Sequence, residues 1–112
     1  MKYQCVIKMV GCGSELIDEI RKGMEAALDE TNFERKFPDG GWCKTQTNID
    51  IIGTTVTITA TFEGEGEMYL EHMHRMEQEA LTGEFQASFK REFDNVKPEK
   101  SCTSLKAFVT KL

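Results

Sequence analysis

Between Thr55 and Phe62, hydroxyl and apolar side chains alternate without a break. Val56, Ile58, Ala60 and Phe62 fall on one side, and Thr55, Thr57, Thr59 and Thr61 on the other. A period of two belongs to a strand with one buried face. Gly53 sits where this strand can fold back on a preceding one, which opens at Trp42 or Cys43 and runs to Ile52. Residues 2–10 alternate in the same way. Tyr3, Cys5, Ile7 and Met9 share one face; Lys2, Gln4, Val6, Lys8 and Val10 share the other. A closing strand over 102–111 groups Leu105, Ala107 and Val109.

Two stretches change period. After Gly11-Cys12-Gly13, the residues Leu16, Ile17, Ile20, Met24, Ala27 and Leu28 recur at three- and four-residue spacing, which predicts an amphipathic helix over 14–30. Ser14 is the expected N-cap, and Glu15, Asp18 and Glu19 suit the positive end of the helix dipole. Tyr69, Met73, Met76 and Ala80 stripe a second helix, with Gly83 as its stop. Residues 31–42 and 63–67 read as loops, the first containing the turn signal Pro38-Asp39-Gly40-Gly41. Phe85, Phe89 and Phe93 suit either period. The break at Thr82-Gly83 favours a strand over 85–93, and 94–101 follows as a polar loop.

The order is therefore β-α-β-β-α-β with one extra C-terminal strand. It predicts a single α+β domain over 1–112: an antiparallel sheet with two helices on one face and the threonines on the other. In topology alone this resembles the ferredoxin-like split β-α-β arrangement, and no sequence motif accompanies that resemblance.

Apolar residues make up 39% and charged residues 29% of the chain, enough for a packed core. No apolar run approaches the roughly 20 residues of a membrane span. Because the N-terminus alternates, it reads as a strand and not a signal peptide, so the expected compartment is the cytoplasm. The net charge of −5 is unevenly spread: residues 63–84 hold seven acids and one base. An acidic chain is a poor sequence-independent binder of nucleic acid, whereas an acidic segment can meet a basic protein surface.

Candidate chemistry is sparse. Gly11, Cys12, Gly13 and Ser14 precede a helix, where free amides can cradle an anion. The third glycine of a dinucleotide fingerprint and the lysine of a P-loop are both missing. Arg35, Lys36 and Trp42 form the one basic cluster with aromatics interleaved, able to meet a phosphate and stack on a ring. The strand layout puts these two loops at opposite ends of the sheet. Cys12 is a conceivable nucleophile, with His72 or His74 as its base. The two histidines lie about 200° apart around a helix and do not chelate one ion together. Cys5, Cys12, Cys43 and Cys102 contain no Cys-x-x-Cys pair, so no metal site, disulfide or cofactor is expected.

These observations point first to a non-catalytic binding or inhibitor module working by protein–protein contact. Thr55, Thr57, Thr59, Thr61, Glu65, Glu67 and Glu71 are its expected contact residues. One form is an acidic inhibitor in the style of virus-encoded proteins that block a host nucleic-acid-binding or defence protein. Self-association through the sheet face into a homodimer is a further expectation. The alternatives are a binder of a nucleotide or other small anion, and a small cysteine- or histidine-dependent enzyme.

Overall fold

The alternating stretches form the strands they predict, and the two stripes form helices. The computed structural model describes residues 1–27, 33–87 and 102–112. In chain order the elements are β1 (Lys2–Val10), α1 (Ser14–Ala27), β2 (Phe33–Lys36), β3 (Trp42–Ile52), β4 (Thr55–Glu65), α2 (Glu67–Thr82) and β5 (Ser104–Lys111). A third helical segment opens at residues 84–87. The fold is α+β, with strands ordered β2-β3-β4-β1-β5 and every neighbouring pair antiparallel.

The odd-numbered face of β1 is the floor of the core. Cys5, Ile7 and Met9 pack with Leu16, Ile17 and Ile20 of α1, with Val56, and with Ala107 of β5. Tyr3 packs with Tyr69 and Met73 of α2, and with Phe37 and Cys43. Both helices thus cover the same side of β1, because burying two amphipathic stripes needs one continuous apolar surface. Met9, Val56, Tyr69 and Met73 are fully buried. Burial of such a side chain contributes about 1.5–3 kcal/mol. The expected stripe members Leu28 and the side chains of Met24 and Ala27 lie outside the described residues.

Local chemistry sets the connections. Gly53, at φ +61°, occupies the first position of the two-residue link between Ile52 and Thr55. Thr54 keeps negative φ, which is the II′ arrangement that matches strand twist. At the start of α1 the first intrahelical bond runs from Ile17 N–H to the Gly13 carbonyl. Gly13, not Ser14, therefore occupies the capping position. At the start of α2, Gly66 supplies no side-chain cap. Asp39, on the β2–β3 turn, takes over: its Oδ2 accepts from Met68 N–H at 3.0 Å and its Oδ1 from Gly41 N–H at 2.9 Å. These bonds hold the Asp39 carboxyl below its ordinary value of 3.8.

A depressed folded-state value contributes stability above the unfolded value, and that contribution is lost as pH falls through the folded one. Asp39→Asn is therefore expected to lower the melting temperature at about pH 6. The gap to the parent chain should narrow as pH falls below 3.8. Thermal melts across this range check it; a constant gap contradicts it.

Three expectations need correction. Residues 31–42 are not all loop, because Phe33–Lys36 pairs with β3, with Arg35 opposite Cys43 and Lys36 opposite Trp42. Residues 63–65 continue β4, paired as far as Trp42↔Glu65. Among the described residues the extra strand is thus β2. Residues 84–87 are helical, with Ala87 N–H donating to the Gly83 carbonyl, and 88–93 lie outside the described residues. Gly83, at φ +82°, ends α2 and lets the chain turn. Phe85 then packs on the core from a helical turn.

Candidate functional site

The register carries the even-numbered residues of β1, β3 and β5 and the odd-numbered residues of β4 onto the face away from α1 and α2. Two uncharged rows cross its centre. One is Gln46, Thr61, Gln4 and Thr110; the other is Asn48, Thr59, Val6 and Phe108. The charged row Lys44, Glu63 and Lys2 lies on one side, and Asp50, Thr57, Lys8 and Lys106 on the other. Thr55, Thr57, Thr59 and Thr61 are each half-buried by their neighbours, as β-branched side chains on a pleated surface are. Phe108 is 55% exposed and Ile52 74%.

Four strands and the rows from Lys44 to Ile52 span on the order of 500 Å². One side of a standard protein interface is about 800 Å², so a partner seated here must also reach past the rim. Lys8 stands directly opposite Lys106, and like charges so placed repel. An acidic group arriving at this corner would relieve them. Sequence reasoning placed the threonines on one face and did not name among the contact residues Gln4, Val6, Lys8, Gln46, Asn48, Lys106, Phe108 and Thr110, which share it. Their parity within each strand was visible, but the pairing that sets them side by side was not.

At the rim beyond Lys44, Glu65 sits opposite Trp42 at the end of β4, and Glu67 and Glu71 follow on the first turns of α2. All three acids are exposed. A cavity of about 480 Å³ opens beside them, lined by Glu34, Lys36, Phe37, Trp42 and Lys44. Arg35 does not join it. Its guanidinium lies 5.0 Å from the Phe37 ring centre, a cation–π contact on the other face of β2. The basic cluster is therefore split between two faces, and Glu34 stands among the remaining lysines.

The Gly11–Ser14 loop lies at the far end of β1 from Trp42, since Lys2 pairs with Glu63 while Val10 pairs with Ser104. Its geometry suits a structural turn. Cys12 N–H donates to the Thr54 carbonyl at 3.0 Å, so that amide is already committed. Cys12 itself is 3% exposed. Burial pushes its thiol up and nearby Cys102 pushes it further, against a smaller lowering by the Val56 backbone. A thiol so placed is held as the poorly nucleophilic neutral form. His72 and His74 are exposed on α2, away from the buried cluster that holds Cys12. Among the described residues no three His, Cys, Asp or Glu side chains group as a metal site, and no helix is long and apolar enough to cross a membrane.

No protein-family model, no curated protein and no solved structure matches this chain.

Proposed function

We propose that this chain is a non-catalytic binding module of ferredoxin-like split β-α-β layout, and that it acts by protein–protein contact through the open face of its sheet. The layout is supported by the position of β1 between β4 and β5, with β3 beyond β4. One observation carries the function: the eight uncharged residues of the central rows stand uncovered by α1 and α2, between charged rows that can set orientation. Amide and hydroxyl groups supply hydrogen bonds at low desolvation cost, and Val6 and Phe108 supply apolar area. The partner's chemistry follows: a polar, hydrogen-bonding surface, with a carboxylate at the Lys8–Lys106 corner and basic groups toward Glu65, Glu67 and Glu71. An acidic inhibitor of a nucleic-acid-binding or defence protein is one form of this reading.

The small-anion reading draws on the Trp42 cavity alone. Glu34 opposes Lys36 and Lys44 there, and Arg35 faces away, so the open face carries the proposal.

A photocrosslinking residue placed at Thr59 tests it in cells that carry the chain. The expected result is a discrete adduct from position 59 and none from position 18, where Asp18 is exposed on α1. Adding Lys at Thr57 should abolish the adduct. Equal adducts at both positions, or none at 59, would refute the proposal.

A further inference from the structure

The two edges of the sheet differ. β2 has four residues, three of them charged, and charge and shortness both blunt an edge against pairing. β5 has eight residues, among them Leu105, Ala107, Phe108 and Val109. Leu112 N–H donates to the Lys2 carbonyl, so the even-numbered residues of β5 point their backbone groups at β1. By alternation, Leu105, Ala107, Val109 and Lys111 turn their N–H and C=O groups outward. Among the described residues no strand pairs with them.

One side chain does reach this edge. Gln86 Nε2 donates to the Ala107 carbonyl at 3.3 Å and to the Ala80 carbonyl at 2.9 Å. Its Oε1 is buried and has no partner among the described residues. A carbonyl has two lone pairs, so Ala107 can still accept from an added strand, which would also bring donors toward Gln86 Oε1. Beside the edge lies a groove of about 490 Å³, walled by Ala80 and Leu81 of α2 and floored by Leu105 to Thr110. Leu81 is 80% exposed.

We infer that β5 pairs antiparallel with β5 of a second copy, about a twofold axis at Phe108, joining two sheets edge to edge. Outward groups meet only in registers centred on a residue. Centring on Lys106 sets like charges face to face. Centring on Ala107 sets Phe108 against a lysine. Centring on Phe108 stacks the two phenylalanines, sets Ala107 opposite Val109 of the second copy, and opposes no like charges. It also sets Leu105 opposite Lys111 of the second copy, on the helix-bearing side. There α2 ends with no basic residue in its last turn, and a helix C-terminus favours a cation. An isologous pairing of this kind closes on itself and stops at two copies. The inference does not require the open-face reading: the two share Phe108, but the pairing uses backbone groups of the edge and leaves Thr59 uncovered.

Analytical ultracentrifugation over about 1 to 300 μM tests it, a range suited to a small, weak interface. The parent chain should pass from monomer to dimer. Phe108→Lys and Phe108→Glu should each stay monomeric with unchanged circular dichroism, because Phe108 is already half in solvent. Mixing the two variants should restore a heterodimer, which a misfolded variant could not form. Thr59→Lys should dimerise like the parent. A monomeric parent overturns the inference and leaves the edge to an extended segment of another protein. A dimer that survives Phe108→Lys, or one that Thr59→Lys abolishes, overturns it as well.

Discussion

Gly64→Ala is expected to destabilise the chain by about 3 kcal/mol, the upper end of what overpacking costs. For a domain of this size that is on the order of a 12 °C fall in melting temperature. The reason lies in what a single methyl would meet. A Cβ at Gly64 would fall on the Trp42 carbonyl oxygen and within 2.7 and 2.8 Å of two Tyr69 ring carbons. Neither neighbour can give way. The carbonyl belongs to β3, paired beside β4, and the Tyr69 ring is fully buried. Gly64 is also tied at the backbone, its N–H donating to the Met1 carbonyl at 3.0 Å. Relief therefore requires β4 to part from β3 or α2 to lift from the sheet. Thermal or urea unfolding measures the effect, and a loss below about 1 kcal/mol would show that α2 does not lie on the strand at this point.

Tyr69→Ala should cost about 4 kcal/mol, as removal of a large buried aromatic does. Tyr69 meets Tyr3 edge to face, with ring centres 6.3 Å apart. Its hydroxyl lies 2.9 Å from the Phe62 carbonyl and 3.1 Å from that of Met1, and its one proton is shared between them. The residue pins the first turns of α2 to the ends of β1 and β4, and so fixes where Glu67 and Glu71 stand. Tyr69→Phe keeps the ring and should cost only about 1 kcal/mol.

The parent and Tyr69→Phe also separate in alkali. Desolvation, with smaller contributions from Cys43, Tyr3 and Glu63, pushes the Tyr69 phenol up from 10.0 to about 12. A raised folded value gives stability that is complete below the unfolded value and is lost as pH rises through the folded one. The parent should weaken between about pH 10 and 12 through this group. Tyr69→Phe should lack that component. Equal losses for Tyr69→Ala and Tyr69→Phe on urea unfolding, or equal weakening of the parent and Tyr69→Phe at high pH, would contradict the assigned role.

Much of this architecture was visible in the chain because it rests on periodicity. β1, β3, β4 and β5 declare themselves by alternation, and α2 by Tyr69, Met73 and Met76. β2 was hidden because Phe33-Glu34-Arg35-Lys36 is too short and too charged to alternate; it exists only because β3 offers an edge. Phe85, Phe89 and Phe93 misled for a geometric reason. A spacing of four is a multiple of two and also close to one helical turn, so it cannot separate strand from helix. Asp39 read as a turn residue because the Met68 N–H that it caps lies 29 residues later, beyond any local cap signal. Gly64 read as loop for a similar cause: its constraint comes from Tyr69 and Trp42, which only the fold brings to it. The threonine row was legible as a face. Its neighbours Gln4, Val6 and Phe108 depended on strand pairing, which periodicity within one strand does not encode.

The open face can be probed with one thiol. Cys5, Cys12, Cys43 and Cys102 are all buried, so the native background is quiet toward a maleimide. A cysteine at Thr59 should react quickly in the purified folded protein and slowly in cells that hold the chain at its natural level, where a partner covers it. A Thr59→Cys thiol that labels as slowly as the four native ones when purified, or as quickly in cells as in buffer, would contradict the assignment of this face as the contact surface.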